Sequence, residues 1–582
     1  MMILMLMMLM MLMTTMTTMT TMTTMTMMMT VVMRSLAITH AAATAKVRPN
    51  ILFMAVDDLR PEIAGPYSHD QVLTPSLQRL ADRSTVFTRA YTQIALCSPS
   101  RTSLLTGLRP DVTRVWTIGP YFRNTMTPPL GQQVVTLPQY FKQQGFRTTG
   151  AGKIFHPGES SGGVSKSEGG ADGGYPFLLN GSWSAPYFFC DQFYNGTFQS
   201  PREQQWPGDD ASGCVQSTAC VACLTASGGL KNGSKPAWFA AACPDNCFPD
   251  GAVAEEAVRQ IRAYGKSARR QGRVAVQPFF LAVGFKRPHL GWFGPKKYFD
   301  IYANATDIAL AKHRVPPSGM PSVAFSGNGE MCSMDGVKCS QDDNGYNLVE
   351  ESQHLELRKA YYSVVSFMDA QLGKVLDALD ASGLSDNTIT VLWGDHGYHL
   401  GEQGEWCKIT NFEDATRVPL MIGLPGRRGQ VSRAFVELLD VFPTLVEAAG
   451  LPGRGAALQG KSLVPILLGG DVEDDDEDDD VFNATFSQIT RRSGRMGLTI
   501  RTERFRYTEW LDFDGSTPPR MNGSAPAMSP ELYAHKVGED ENDFDGAENV
   551  NLAAAPGYAK EVERMHAALV KAWDGEGREN TV

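Results

Sequence analysis

The chain has 582 residues, enough for more than one hydrophobic core, and its 43% hydrophobic and 20% charged content is that of a soluble globular protein. The formal net charge is -10, and basic clusters such as Arg269-Arg270 with Arg273 and Arg427-Arg428 are too short to advertise a nucleic-acid surface. Nine of the acids fall in one run from Asp471 to Asp480, without which the chain is close to neutral.

Met1 to Met13 is wholly apolar, the length of a signal-peptide core and short of the roughly 20 residues of a membrane span. A Met-Thr repeat runs on to Thr30, and Ala43-Thr44-Ala45 offers a cleavage site before Lys46. The positive n-region is missing. Residues 1–45 are expected to be a signal peptide, with a mispredicted extension upstream of Met33 as the alternative. No later segment reads as transmembrane.

From Asn50 apolar strands alternate with helices, the mark of an α/β fold with a largely parallel sheet. Ile51 to Val56 reads as a buried strand that ends at Asp57-Asp58. Thr74-Pro75 opens a helix carrying Leu77 and Leu80. Cys97 then stands in the run Cys97-Ser98-Pro99-Ser100-Arg101, followed by Thr106-Gly107 and Arg109-Pro110. Pro99 suits the first turn of a helix, where its missing N–H would be unpaired anyway. That puts Cys97 at a helix N-terminus, where free N–H groups favour an anion. A lone cysteine is usually a buried small hydrophobe, and on this run alone the two readings are about even.

Phe146 to Gly150 is a second strand, with Lys153 and His156 just beyond it. Cys190, Cys214, Cys220, Cys223, Cys243 and Cys247 crowd into the next region, and Cys332 and Cys339 form a close pair. Sequons begin at Asn180, Asn195, Asn232, Asn304, Asn483 and Asn522, and six of them favour the secretory route. In a secreted chain such cysteines read as disulfides, with zinc on Cys220-x-x-Cys223 and Cys243-x-x-x-Cys247 as the alternative. Cys97 and Cys407 are left over.

Phe279 to Phe285 is a third strand, delivering Lys286-Arg287-Pro288-His289. A long amphipathic helix follows, with Tyr361, Val364, Val365, Met368, Leu372, Val375, Leu376 and Leu379 on one stripe and Gly383 as its stop signal. Thr388 to Trp393 is the next strand, ending at Gly394-Asp395-His396-Gly397. Four strands thus finish in acids, a lysine or histidines, and open α/β sheets bind ligands outside the carboxyl ends of their strands.

The acidic run 471–480 reads as a disordered linker or loop. Beyond it Leu498 to Arg501, Phe505 to Trp510 and Glu531 to Tyr533 read as short strands, and Tyr558 to Trp573 as a closing helix. The expected organisation is a catalytic domain over 46–470, with a Cys-rich insertion at about 180–250, and a smaller α+β domain over 481–582.

Asp57, Asp58 and Asp395 supply oxygens suited to a hard divalent cation, and His396 adds a nitrogen, which leaves the metal's identity open. Three clustered carboxylates without a cation would cost several kcal/mol, about that of uncompensated buried ions, so a metal is expected.

The Cys97 block resembles the signature of the type I sulfatases, in which the cysteine is oxidised to formylglycine. The likeness extends through Asp57-Asp58-Leu59-Arg60-Pro61, Gly152-Lys153-Ile154-Phe155-His156-Pro157-Gly158, Pro288-His289, Asp395-His396-Gly397, Gly404-Glu405-Trp406 with Lys408, Ile500-Arg501-Thr502 and Arg506-Tyr507-Thr508. Within that family these motifs and their order resemble those of the iduronate-2-sulfatases, from Asn50 to Leu552.

The resemblance implies an alkaline-phosphatase-like α/β/α sandwich with a large mixed, mostly parallel sheet, a C-terminal α+β domain, and hydrolysis of sulfate esters of sugars. It implies Ca2+ held by Asp57, Asp58, Asp395 and His396, with the formylglycine from Cys97 as a further ligand and the nucleophile. Arg101, Lys153, His156, His289 and Lys408 then contact the sulfate. Arg101 would stabilise the aldehyde hydrate, Lys153 and His289 would neutralise developing charge, His156 would deprotonate the second hydroxyl and Lys408 would assist the leaving alcohol. The implied partners are a sulfated saccharide and a formylglycine-generating enzyme, in a lysosomal or extracellular setting. Ile409 stands where iduronate-2-sulfatases carry Tyr, and Tyr398 where they carry Trp, which leaves the sugar open. The alternatives are a phosphomonoester or phosphonate hydrolase on the same fold, and a non-catalytic, calcium-stabilised glycan-binding protein.

Overall fold

The computed structural model describes residues 48–67, 70–126, 133–161, 181–184, 187–188, 218–227, 234–271, 277–306, 308–453, 458–470, 483–521, 528–536 and 547–574. The expected signal segment, the acidic run, Cys190, Cys214, Asn180, Asn195, Asn232 and Asn522 lie outside the described residues. Everything below concerns the compact unit formed by residues 49–267 and 277–582.

Eight strands form the main sheet: β1 (Asn50–Val56), β2 (Thr85–Tyr91), β3 (Arg147–Gly152), β4 (Phe279–Phe285), β5 (Thr388–Gly394), β6 (Arg417–Gly423), β7 (Gln430–Ser432) and β8 (Val436–Glu437). Their order is β7-β2-β6-β5-β1-β4-β3, with β8 also on β2. The run β5-β1-β4-β3 is parallel, and only β6 opposes its neighbours. Val56 pairs with both Phe285 and Gly394, and Gly152 with Gly284, so four strand ends open at one edge. All four are strands that the sequence pattern picks out.

Two central strands were not expected. Thr85–Tyr91 interleaves Thr88 and Arg89 with apolar residues, so it lacks a continuous apolar run although it is buried throughout. Arg417–Gly423 carries Pro419, which argues against a central strand; a bulge between Val418 and Leu420 accommodates it.

On one face of the sheet Ile51, Phe53 and Ala55 of β1 share a core with other elements. These are Leu104 and Leu105 of helix α2 (Cys97–Thr106), Leu137 and Phe141 of α3 (Leu137–Gln143), and Phe442 and Leu445 of α5 (Val441–Ala448). The expected amphipathic stripe lies on α4 (His354–Ala381) and is buried along its length; Gly383 follows at φ +66°. Asp369 of α4 accepts the N–H groups of Ser76 and Leu77, satisfying the first turn of α1 (Pro75–Ala81).

The C-terminal domain is a four-stranded antiparallel sheet, β9 (Thr485–Arg491), β10 (Arg495–Arg501), β11 (Phe505–Asp512) and β12 (Glu531–Ala534), packed on α6 (Ala559–Asp574). Its core of Ile489, Leu498, Tyr507, Met565 and Leu569 continues into Ile94, Leu96 and Phe412 of the catalytic side. Strand β9 also reaches the segment before Cys97: Gln488 N donates to Gln93 O at 2.8 Å and Ser487 Oγ to Thr92 O at 2.5 Å.

Disulfides join Cys220 to Cys247, Cys223 to Cys243 and Cys332 to Cys339, which removes the zinc alternative because its four thiols are consumed. Cys97 and Cys407 are free and buried. Asn304 and Asn483 are exposed. Among the described residues no helix is long and apolar enough to cross a membrane.

Candidate active site

The four parallel strand ends deliver Asp57-Asp58, Lys153, His289 and Asp395-His396 to one place, and the loop after β2 delivers Cys97. Gly152 sits at φ +80°, where a Cβ would fall 2.0 Å from Gly284 O, so glycine alone can turn the chain into Lys153. Asp58, at φ +60°, is held through its backbone: its N–H donates to Asp395 Oδ1 at 3.0 Å, and Tyr361 OH donates to its carbonyl at 2.8 Å. Cys97 is the first residue of α2, as Pro99 led us to expect.

Arg101 lies one helical turn on and is fully buried. Its Nε donates to Asp395 Oδ2 at 2.8 Å, one Nη to Asp57 Oδ1 at 3.0 Å and the other to the Lys153 and Ile154 carbonyls at 2.5 and 3.1 Å. It therefore faces the carboxylates and the backbone. Lys153 Nζ is 2.5 Å from Asp57 Oδ2, and Lys408 Nζ is 2.8 Å from Asp58 Oδ2. His396 Nε2 stands 3.2 Å from Cys97 Sγ, 3.4 Å from Asp58 Oδ1 and 3.7 Å from Asp395 Oδ1. Its Nδ1 is 2.9 Å from Gly397 O, and a proton there leaves the Nε2 lone pair facing the centre.

These pairs correct one expectation. The three carboxylates are not uncompensated, because Arg101, Lys153 and Lys408 match them charge for charge. Burial alone would raise the Asp57 carboxyl, but the Lys153 and Arg101 cations outweigh it and hold it well below the usual range. Burial pushes Asp58 up to about 6, aided by Asp57 and Glu330 and opposed by Lys408 and His396. The Cys97 thiol is driven well above its ordinary value by burial and by Asp57. Unmodified, it is a neutral thiol and a poor nucleophile.

The donor set fits a hard divalent cation. Ligand atoms of Asp57, Asp58, Cys97 and His396 lie within 4.8 Å of one another, and Asp395 Oδ1 adjoins them.

His156 and His289 reach the site with both rings neutral. Burial, then Lys153, lowers His156 to about 3, and its Nδ1 is 3.0 Å from Pro157 O. Burial, then Lys408, holds His289 well below its usual value, and its Nδ1 bonds Leu290 O. The positive charge at the mouth accordingly belongs to Lys153 and Lys408, not to His289.

Glu330 was missed by the motif reading. Its Oε2 is 3.1 Å from Lys408 Nζ and its Oε1 3.9 Å from His289 Nε2. Its side chain is 28% exposed against 3% for Lys408, so Glu330 lies on the solvent side of the lysine. The only signal in the chain was the neighbouring Cys332–Cys339 pair, which braces that loop. Tyr398, by contrast, is buried behind Lys408 between Trp292 and Tyr361, so this departure changes the packing beneath the lysine.

Comparison with known proteins gives a family model described as Sulfatase over residues 49–451, and one described as N-sulphoglucosamine sulphohydrolase, C-terminal, over residues 401–514. The chain is 32% identical over 524 residues to iduronate 2-sulfatase of Mus musculus and 31% over 519 residues to that of Homo sapiens. Each alignment covers 80% of this chain and 85% of the relative. Among solved structures, phosphonate monoester hydrolase SpPMH from Silicibacter pomeroyi superposes with a TM-score of 0.61 at 20% identity, covering 90% of this chain and 95% of that one. That likeness shows a shared alkaline-phosphatase-like fold.

Proposed function

Because the chain belongs to the sulfatase family and is a sulfuric ester hydrolase, we propose that it cleaves sulfate esters of sugars through a formylglycine made from Cys97. The observation that carries this reading is the position of Cys97: first residue of a helix, buried against His396 and Asp58, with Lys153 and Lys408 beside it.

A hydrated aldehyde at residue 97 supplies one hydroxyl to attack sulfur and a second whose deprotonation later expels sulfate. Asp57, Asp58, Asp395 and His396 would hold a divalent ion, most simply Ca2+, which supplies Lewis acidity and two positive charges. Added to four carboxylates, Glu330 included, and the three cations Arg101, Lys153 and Lys408, those charges leave the site net positive and fit for an anionic ester. Lys153 and Lys408 face the sulfate oxygens and the departing oxygen. His156 is neutral across the working pH range and is assigned as the base for the second hydroxyl. Arg101 aligns Asp57 and Asp395 and stabilises the hydrate through them.

Sugars sulfated on a uronate, as the names of the iduronate 2-sulfatases imply, are the first substrate class to test. The three disulfides and the sequons support a secretory, lysosomal or extracellular setting, with a formylglycine-generating enzyme as an obligate partner during synthesis. Parallel assays on an aryl sulfate, the matching aryl phosphate and a panel of sulfated saccharides test the assignment. Sulfate release well above phosphate release is expected. Faster phosphate release would make the protein a phosphomonoesterase, and glycan binding without sulfate release would make it a binding protein.

A further inference from the structure

The residue after Lys408 is held in a conformation that its side chain disfavours. Ile409 sits at φ +72°, and Cys407 before it at φ +138°. A β-branched residue in the left-handed region is an outlier that persists only when its surroundings over-determine it. The Ile409 N–H donates to Ala95 O at 3.1 Å, two residues before Cys97. Its carbonyl accepts from Arg491 Nη1 at 2.7 Å.

Arg491 comes from the far end of β9, in the C-terminal domain. Its guanidinium stacks over the Trp510 ring, 4.9 Å from the centroid, and donates along three directions. Besides Ile409 O, Nε reaches Val323 O at 2.8 Å and Nη2 reaches Ala324 O at 2.6 Å. Those carbonyls belong to the segment that leads to Glu330, the carboxylate on the solvent side of Lys408. The same two segments meet again at Asn328, whose side chain donates to Gly404 O at 2.9 Å and accepts from Trp406 N at 2.6 Å. Burial lowers Arg491 to about 10, so it remains charged at neutral pH.

We propose that Arg491 is a positioning residue of the active site: one guanidinium from the C-terminal domain clamps the strained Ile409 loop and the Val323–Ala324 segment, and thereby sets where Lys408 stands. Arg491 touches no reacting atom. Its rigid fork matches three carbonyls at fixed angles, which a lysine ammonium on a flexible stem does not reproduce. The C-terminal domain thus completes the catalytic centre without entering it. This rests on the catalytic assignment of Lys408 above.

The test is a double-mutant cycle of Arg491→Lys and Lys408→Ala in the full-length, secreted, formylglycine-bearing protein, with turnover of a sulfated saccharide and thermal unfolding measured for all four proteins. Arg491→Lys is expected to lower kcat about tenfold or more, since even 1 Å of misplacement can cost on the order of 10²-fold. In the Lys408→Ala background the same change should cost less than about twofold. A loss of equal size in both backgrounds, or none in either, would overturn the proposal, because Arg491 would then act on the fold at large or not at all. Ordinary turnover by Lys408→Ala is a different failure: it would refute the role of Lys408 itself and the proposal with it. Arg491→Met, which fills the space over Trp510 without donating, serves in the cycle if the lysine variant does not fold.

Discussion

Lys153 and Asp57 meet across 2.5 Å inside the protein, and Asp57 shares its other oxygen with Arg101. A carboxylate held by two cations stays ionised despite complete burial, so the floor of the site is permanently charged. The matching of Asp57, Asp58 and Asp395 by Arg101, Lys153 and Lys408 gives the protein a stable centre before any ligand arrives. The divalent ion proposed above would make that centre attractive to sulfate.

Replacing Lys153 with alanine removes the cation that pairs with Asp57 and that is proposed to face the sulfate. Turnover is expected to fall roughly 10²-fold or more, the size of one preorganised electrostatic contact. Steady-state kinetics with a sulfated saccharide check this, alongside circular dichroism to establish folding. A near-normal rate would take Lys153 out of the sulfate shell.

If the proposed ion is held by Asp57, Asp58, Asp395 and His396, its removal couples activity to stability, because the same carboxylates serve both. Dialysis against a strong chelator should lower turnover and melting temperature together, and calcium should restore both by binding the folded state alone. Indifference of both quantities would contradict the ion site.

Glu405 supplies a pH prediction away from the metal position. Its carboxyl is fully buried against Ser326, and that burial raises it to about 7 from an ordinary 4.5. The folded state therefore binds a proton that the unfolded state has lost between those values, and stability from this group falls as pH rises from about 4.5 to 7. Glu405→Gln cannot ionise. Its stability relative to the parent should accordingly improve between pH 5 and pH 8, by on the order of 1–3 kcal/mol. Denaturant titrations of both proteins at the two pH values read the difference, and an unchanged difference would count against a carboxyl so raised.

Much of this site was legible in the sequence because its chemistry sits at strand ends, where an apolar run stops abruptly at Asp57-Asp58, Lys153, His289 or Asp395-His396. The four-strand convergence follows from βαβ geometry, since parallel strands in one sheet present their carboxyl ends together. What escaped had no such punctuation. Strand Arg417–Gly423 hid behind Pro419, and Thr85–Tyr91 behind its polar residues. Glu330 lies on a four-residue helix whose approach to Lys408 depends on a turn held by Asn328 at φ +54°. The matching of carboxylates by cations was likewise invisible, because residues 57, 58, 101, 153, 395 and 408 come together only in space. The pairing of Cys220 with Cys247 and Cys223 with Cys243 could not be read from spacing, which fits crossed, nested or metal-bound arrangements equally.

Cys97→Ala should abolish turnover while leaving melting temperature within a few degrees, about the shift that a ΔΔG of roughly 1 kcal/mol produces. The thiol packs in a cluster whose ion pairs do not depend on it. Residual activity above background would mean that some other group attacks sulfur.

The most direct measurement is peptide mass spectrometry across Cys97 on active protein from a eukaryotic secretory host. An aldehyde in place of the thiol at residue 97 is the predicted result and would establish the nucleophile. An unmodified Cys97 in protein that hydrolyses sulfate esters at full rate would contradict the account, because a thiol so raised by burial cannot perform the chemistry assigned to it.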